Sequence, residues 1–396
     1  MDFAATKKRS SVSDDQALWS LGGAHFLNDL MTSVVPALLP LFKDVFHLTY
    51  TQAGIILLVS SLTSSVTQPV FGYISDKHPR PWLLPVGTLI TGVGLALSGL
   101  MPTYPLLLLM IALSGLGSGL FHPEASRGAH LGAGTRKGRA QAIFQVGGNA
   151  GQAFGPLMIP LFLLATGIKG TSWFILAGLL GAFFMGRLLP WYRVNLVEEG
   201  RKAKKRIKGK TNVPGLVILV IVVIFRSFAQ IGIAGFLPFF YLNQGVPLRT
   251  GDVLTFLFLL AGALGTFLGG RFSDQLGYKW LLFGSMFVTI PFAWALPHVH
   301  GLLSIIVLFL LGFFVLSSFA VTVVYGQLLL PDKVGLASGL MIGLSIGAGG
   351  IGAAILGWVS DNYGITTVFN LFVILPLIGA ILTLFVPSEK KLIQAD

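Results

Sequence analysis

The chain has 396 residues, of which 54% are hydrophobic and only 11% are charged. Because a soluble protein carries roughly a quarter charged residues, this composition excludes an ordinary soluble domain. The net charge of +12 suits either a nucleic-acid-binding protein or a membrane protein with lysine and arginine concentrated on one side. The absence of cysteine excludes disulfides and thiolate chemistry.

Apolar stretches of about 20 residues, the length that crosses a bilayer, recur along the whole chain. The predicted spans lie near 17–41, 51–74, 82–101, 105–127, 139–165, 171–192, 213–241, 252–272, 280–297, 301–327, 335–358 and 365–386. No small-residue cleavage site follows the first stretch, so we expect it to remain as an uncleaved helix. The predicted fold class is an all-α integral membrane protein with twelve transmembrane helices.

The distribution of lysine and arginine favours a membrane topology over nucleic-acid binding. Twelve spans put the tails 1–16 and 387–396 on one side, and assigning that side to the cytoplasm places nearly all lysines and arginines there or at the adjoining ends of the spans. The exceptions are Lys43, Lys169 and Arg249 in outer loops and Arg226 within a span. The basic segment 193–212 is predicted to be a solvated linker that orients the protein, and no nucleic-acid partner is expected.

The ends of spans 2 and 8 repeat one motif. Residues 72–76 read Gly-Tyr-Ile-Ser-Asp and residues 270–274 read Gly-Arg-Phe-Ser-Asp, at an offset of half the chain length. The repeat predicts two pseudo-symmetric six-helix bundles, 17–192 and 213–386, with a substrate site between them.

These loop residues also carry a family resemblance. Asp76, Lys77 and Arg80 after Gly72, echoed by Asp274, resemble the loop signature of the major facilitator superfamily. The resemblance implies a cytoplasmic loop whose residues close an inner gate. The gating residues that it suggests are Asp76, Lys77, Arg80, Arg127 and Asp274.

Span 5 contains Gly151, Gly155 and Pro156, which resemble the G-x-x-x-G-P motif of drug antiporters in that superfamily. Glycines four apart on a helix equally permit close packing against a neighbour, so both interpretations stay open. In span 11, glycines recur every four residues and predict a smooth surface for a neighbouring helix. They are Gly335, Gly339, Gly343 and Gly347. Asp361, just beyond span 11, is expected to cap a helix or lie in an outer loop.

A narrower resemblance covers nearly the full chain. The segments 25–29, 48–54, 121–127, 144–149 and 325–331 resemble the fosmidomycin resistance protein family of bacterial efflux carriers. The resemblance implies a monomeric, proton-driven antiporter in the bacterial inner membrane that exports a small anionic phosphonate by alternating access. It also implies that spans 1, 4, 7 and 10 line the cavity.

Ionisable side chains inside a bilayer cost about 2.5 to 3.5 kcal/mol each, so they usually face a cavity or a partner. Asp29 and Arg226 lie at similar predicted depth in opposite halves, which predicts an ion pair between the halves. The guanidinium of Arg226 suits a phosphonate or carboxylate. The proposed proton-coupling residues are Asp29, Glu124 and His122, whose protonation would release Arg226 for substrate.

Each of these residues also has a structural interpretation. Asp29 and Arg226 could merely neutralise each other, Glu124 could pair with Arg127, and the histidines could be neutral hydrogen-bonding residues. The substrate-binding candidates besides Arg226 are His25, Asn28, Gln145, Asn149, Tyr325 and Gln327.

No nucleophile with its base, metal cluster or phosphate-binding loop occurs in the short soluble segments, so the sequence predicts no enzyme, cofactor or metal. Two alternatives to the exporter remain. A proton-coupled importer of an organic anion or sugar would use the same carboxylates. A channel is less favoured, because two halves around a polar site suit alternating access better than a fixed pore.

Overall fold

The computed structural model describes residues 14–77, 80–132, 137–202, 211–331 and 334–389. These ranges are helical and contain no strand. The amino-terminal half consists of α1 (Asp14–Phe46), α2 (Tyr50–Lys77), α3 (Leu83–Ser98), α4 (Tyr104–Leu131), α5 (Lys137–Phe154) and α6 (Phe174–Lys202). The carboxy-terminal half consists of α7 (Val213–Asn243), α8 (Leu248–Leu276), α9 (Tyr278–Ala295), α10 (Gly301–Ser317 and Phe319–Leu329), α11 (Val334–Gly339, a π-helical turn Leu340–Leu344, and Ser345–Tyr363) and α12 (Ile365–Leu371 and Ile374–Thr383).

The helices match the twelve predicted spans. Ten helices in the described ranges are long and apolar enough to cross a membrane. Of the other two, α3 has only 16 residues, and α5 passes into a 3₁₀ turn and a π-helical turn after Phe154. Pro156 and Pro160 lie in those turns, and a proline without an amide hydrogen interrupts regular α-helical bonding.

One boundary differs from the prediction. Helix α6 continues to Lys202, so the first part of the segment predicted to be a linker is helical. Residues 203–210, the most basic part of the predicted linker, lie outside the described ranges. Large apolar side chains such as Trp173, Phe267 and Leu302 are exposed on the helix bundle, as expected for a surface that faces lipid.

Helix packing follows the internal repeat. In the first half α1 packs on α5, α2 on α4 and α3 on α6; in the second half the equivalent helices form the pairs α7 with α11, α8 with α10 and α9 with α12. The halves meet through α2 with α11 and through α5 with α8, which are also equivalent pairs. The two pseudo-symmetric six-helix bundles are therefore confirmed.

The α2–α11 contact depends on small residues. A Cβ atom on Gly54 would lie 2.5 Å from the Ala353 carbonyl oxygen, and one on Gly347 would lie 2.2 Å from the Ser65 hydroxyl. The Ser65 hydroxyl donates a hydrogen bond of 2.7 Å to the Gly343 carbonyl. Part of the predicted glycine strip thus lies at an interface between the halves, where close backbone approach requires it.

The apolar cores show which end of the molecule is closed. We call the end where α1 begins the Asp14 end, and the end where α2 begins the Tyr50 end. One core joins both halves towards the Tyr50 end and includes Leu38 and Phe236. At the Asp14 end each half has a separate core, one around Trp191 and the other around Leu329. The halves are therefore sealed together at the Tyr50 end.

Asp361 adds polar contacts to this seal. One of its carboxylate oxygens accepts a 2.8 Å hydrogen bond from the Tyr50 amide. The other accepts from the Thr51 amide at 2.7 Å and from the Thr51 hydroxyl. A residue from α11 therefore caps the first turn of α2, whose free amides attract a carboxylate. Sequence suggested a cap but could not show that the capped helix belongs to the other half.

Replacing Asp361 with alanine should loosen the Tyr50 end. Loss of a helix cap costs about 1 kcal/mol, so the population open at this end should rise about fivefold. Because the chain lacks cysteine, a single Leu57→Cys reporter can be placed at the buried contact of Leu57 with Gly235 of α7. The rate of maleimide labelling at this cysteine measures the opening. Asn362→Ala, at the exposed neighbouring residue, is the control, and equal labelling in the two variants would contradict the assignment.

Candidate functional site

A small cavity of about 60 Å³ lies between the two halves, with room for a few water molecules. We call it the central cavity. It is lined by α5 from the first half and by α7, α8, α10 and α11 from the second. The polar residues in its wall are Asn149, Gln152, Ser227, Gln230, Thr266 and Ser345.

Asp29 of α1 is the centre of a buried cluster at one side of this cavity. Its Oδ2 lies 3.3 Å from His25 Nε2, and its Oδ1 lies 3.2 Å from His122 Nε2 of α4. The amide of Gln152 donates to Oδ2 at 2.9 Å, and that of Asn28 donates to Oδ1 at 3.3 Å. We call His25, Asp29 and His122 the histidine–aspartate cluster.

The close packing of α1 and α5 positions His25. Its ring stacks on Phe144 with ring centroids 4.1 Å apart, and its Nδ1 lies 2.8 Å from the Phe144 carbonyl oxygen. A Cβ atom on Gly148 would lie 2.4 Å from the His25 ring, so only glycine leaves room for this imidazole. His122 is held in a similar way, since its Nδ1 lies 2.8 Å from the Ser118 carbonyl oxygen.

Arg226 of α7 is fully buried on the other side of the interface. One terminal nitrogen donates to the Thr322 hydroxyl at 3.1 Å, and the guanidinium lies 4.9 Å from the centre of the Phe319 ring. Nε and the second terminal nitrogen have no hydrogen-bond partner in the part of the chain that the structure describes. Buried polar groups are nearly always bonded, so these two N–H groups suit a negatively charged acceptor.

The predicted ion pair between Asp29 and Arg226 is not formed, and this prediction is wrong for this conformation. Both carboxylate oxygens are already engaged by side chains of the same half, and Arg226 turns instead to α10. Each of the two residues nevertheless contacts a side chain that lines the central cavity. Gln152 bonds Asp29, Phe319 packs on Arg226, and both line this cavity.

Three substrate-binding candidates are committed to other contacts. His25 uses one ring nitrogen on the Phe144 carbonyl and the other on Asp29. Asn28 donates to Ser118 and accepts from Thr91, both buried. Tyr325, in the apolar core at the Asp14 end, donates to the Pro387 carbonyl. The three side chains are thus engaged within the protein in this conformation, and their assignment as substrate-binding residues stays a prediction.

The remaining substrate-binding candidates differ in whether they line the central cavity. Asn149 lines the central cavity and accepts a 3.3 Å hydrogen bond from Gln145, one turn earlier on α5. Gln327 is half-buried on α10 and is not among the residues that line the cavity. Gln152 was not among the predicted site residues, although it follows Gln145 and Asn149 at helical spacing. That polar stripe was the signal that could have identified it.

Glu124 belongs to a different set of contacts from Asp29. It is fully buried on α4, where it accepts hydrogen bonds from the Tyr192 hydroxyl at 2.7 Å and from the Arg80 amide at 3.1 Å. These bonds hold α4 to α6 and to the segment before α3. Its proposed role in proton coupling remains a prediction without support from its position.

The predicted gating residues are only partly described. The side chains of Asp76, Lys77 and Asp274 lie outside what the structure describes, whereas Arg127 is half-buried on α4 and Arg80 is exposed. Gly151 and Gly155 allow α5 to approach α1, since a Cβ atom would lie 2.2 Å from the Phe26 carbonyl oxygen and 1.9 Å from the Ser33 hydroxyl, respectively. Pro156 is buried in the 3₁₀ turn that follows.

Among the described residues, the histidine–aspartate cluster is also the group of His, Asp and Glu side chains close enough to surround a small cation. Its three ligand atoms lie within 4.8 Å of one another. The same spacing suits shared protons, and the contacts of 3.2 and 3.3 Å are those of hydrogen bonds.

Comparison with known proteins agrees with this architecture. The chain is 37% identical over 98% of its length to the fosmidomycin resistance protein of Escherichia coli, covering 96% of that protein. It is 40% identical over 94% of its length to the uncharacterized MFS-type transporter YfnC of Bacillus subtilis, covering 93% of it.

Solved structures share the fold. A bacterial homolog of the human lysosomal transporter Spinster, in an inward-facing and unoccupied conformation, superposes with a TM-score of 0.76 at 15% identity over 98% of this chain and 99% of that one. A D-xylose–proton symporter superposes with a TM-score of 0.75 at 17% identity over 95% and 98% of the two chains. The sequence profile of the Major Facilitator Superfamily matches residues 21–251 and 219–395. The chain is therefore a multi-pass membrane protein that belongs to the Major Facilitator Superfamily of transporters.

Proposed function

We propose that this protein is a proton-coupled antiporter that exports a small organic anion, such as fosmidomycin, across the bacterial inner membrane by alternating access. The Asp14 end faces the cytoplasm, in agreement with the positive-inside rule. The observation that carries the proposal is Arg226, a buried cation with two donor nitrogens that have no partner among the described residues. Its guanidinium packs on Phe319, which lines the cavity between the halves.

The chemistry of the site selects an anion. A guanidinium offers paired N–H donors that match a phosphonate or carboxylate, and its charge remains at any physiological pH. Asn149 and Gln152 of the opposite half supply neutral amides in the same cavity. An anion bound to Arg226 and to these amides bridges the halves and favours closure around the substrate.

Protons act on the first half alone. The histidine–aspartate cluster draws its members from α1 and α4, with the amide of Gln152 from α5. Antiport requires that a bound anion carries the transporter through one half-cycle and bound protons carry it through the return. The 37% identity to the fosmidomycin resistance protein supports outward movement of the anion.

A second candidate is a proton-coupled importer of an organic anion. Protonating the cluster makes the cavity beside Arg226 more positive, and this attracts an anion. A proton that raises the affinity for an anion is the behaviour expected of symport, so the positive charge of the protonated cluster favours an importer. The similarity to the fosmidomycin resistance protein favours an exporter instead.

The direction of the pH gradient that drives accumulation of the anion distinguishes the antiporter from the symporter. In proteoliposomes with the membrane potential clamped, an antiporter accumulates fosmidomycin when the lumen is acidic, whereas a symporter accumulates it when the external medium is acidic. Protein-free liposomes are the control. We expect accumulation with an acidic lumen; accumulation with the opposite gradient would establish the importer, and no response to either gradient would refute proton coupling.

A further inference from the structure

We infer that the histidine–aspartate cluster holds two exchangeable protons, one at each contact between an imidazole Nε2 and an oxygen of Asp29, and that both cross in each transport cycle. The inference rests on the proton coupling of the proposed function but not on its direction. It adds a stoichiometry and makes His25 a proton carrier equal to His122.

The first step is the orientation of the protons already on the rings. The Nδ1 atoms of His25 and His122 each lie 2.8 Å from a backbone carbonyl oxygen, that of Phe144 and that of Ser118. A carbonyl oxygen only accepts hydrogen bonds, so both Nδ1 atoms must donate. In a neutral imidazole the other nitrogen then carries a lone pair and no proton.

The second step concerns the side of each ring that faces Asp29. The two Nε2 atoms lie 3.3 and 3.2 Å from different oxygens of the carboxylate. If neither contact held a proton, two lone pairs would face a buried carboxylate at hydrogen-bond distance, which is repulsive. One proton satisfies one contact, and only a second proton satisfies the other.

The surroundings favour this doubly loaded state. Amides of Asn28 and Gln152 donate to the same two carboxylate oxygens, so Asp29 is arranged as an acceptor on both sides. The other contacts of the cluster with the described residues of the neighbouring helices are uncharged: α3 supplies Thr91, which bonds Asn28, and α5 supplies Phe144 and Gln152. On α4, Glu124 is bonded to Tyr192, and across the interface Arg226 bonds Thr322.

The protons have a route out of the cluster. The His122 side chain is 17% accessible, whereas those of His25 and Asp29 are nearly closed off. Gln152 both bonds Asp29 and lines the central cavity. A change in the cavity, such as substrate binding or opening at the other end, therefore reaches the cluster through one hydrogen bond.

The stoichiometry is measured as the anion gradient that balances an imposed pH gradient in proteoliposomes at zero membrane potential. The pH is kept above the range in which the phosphonate itself titrates. With two protons per anion, one pH unit sustains about a 100-fold anion ratio, and with one proton it sustains about a 10-fold ratio. We expect about 100-fold for the unmodified protein and about 10-fold for His25→Gln and for His122→Gln, because glutamine donates to Asp29 but does not titrate.

His298→Gln is the matched control. The Nδ1 of His298 lies 2.7 Å from the Trp294 carbonyl one turn earlier, as His122 does from Ser118, but His298 is exposed at the Tyr50 end. This variant should retain the 100-fold ratio.

The measurement tests the proposed antiport and the proton number separately. The direction of the pH gradient that drives accumulation tests antiport, and the size of the anion ratio tests the number of protons. If one pH unit sustained only a 10-fold anion ratio in the unmodified protein, the inference would be overturned. This test does not depend on the folding of any variant. Stoichiometric Zn²⁺ binding to the purified protein, with transport abolished by a chelator, would also overturn it. Nitrogen-15 NMR of the histidines should show two rings that keep Nδ1 protonated while Nε2 gains its proton.

Discussion

Replacing Arg226 with glutamine is expected to weaken binding of the anionic substrate about 100-fold. Hydrogen bonds to a charged group contribute about 1.5 to 3 kcal/mol each, and the loss of two such bonds at the low end of that range amounts to about 3 kcal/mol. Nε and one terminal nitrogen of Arg226 are the donors available for these bonds. Substrate affinity of the purified protein, measured by calorimetry, provides the test.

Two further variants separate charge from geometry. Arg226→Lys keeps the charge but lacks the paired N–H donors of a guanidinium. Its affinity for the anion should therefore lie between that of the unmodified protein and that of Arg226→Gln. Arg249→Gln, at an exposed arginine near the start of α8, should leave binding unchanged.

The stability of the Arg226→Gln variant adds a second readout. An unsatisfied buried charge destabilises a fold, so the variant should unfold at the same temperature as the unmodified protein or higher. Full affinity in a folded Arg226→Gln protein would refute the anion site. A large loss of stability with unchanged affinity would instead show that Arg226 has a structural role.

Replacing Asp29 with asparagine is expected to abolish accumulation driven by a pH gradient while leaving exchange of substrate across the membrane. Without the carboxylate, neither imidazole has an anion to stabilise its protonated form, and the cluster loses the protons that couple the half-cycles. The anion ratio sustained by one pH unit should fall from about 100 to about 1. Counterflow of labelled substrate measures whether exchange persists.

The fold should tolerate this change. Asparagine retains an oxygen for the amides of Asn28 and Gln152 and can donate from its own amide to one neutral histidine. Asp44→Asn, at an exposed residue on the same helix, serves as the control and should keep full coupling. Gradient-driven accumulation by Asp29→Asn would show that the proton carrier lies elsewhere, and Glu124 would then be the first residue to test.

Much of the architecture could be predicted because it depends on local composition. Each apolar stretch of bilayer length becomes a helix, since a chain in lipid must satisfy its backbone hydrogen bonds internally. The repeated motif at 72–76 and 270–274 predicted the two bundles, because equivalent sequences form equivalent helix pairs. The extension of α6 to Lys202 was missed because charged residues do not stop a helix once it leaves the membrane.

The sequence by itself determined the number of helices, their division into halves and a small set of ionisable groups within the spans that includes Asp29, His122 and Arg226. Only the tertiary structure decided which of these groups meet. Depth along a helix can be counted from the sequence, but the direction of a side chain around the axis depends on which neighbour packs there. The glycines of α5 bring α1 so close that Gln152 reaches Asp29, and α4 places His122 on its other oxygen. Among the described residues, Arg226 is therefore left without a carboxylate, packed on Phe319, which lines the central cavity.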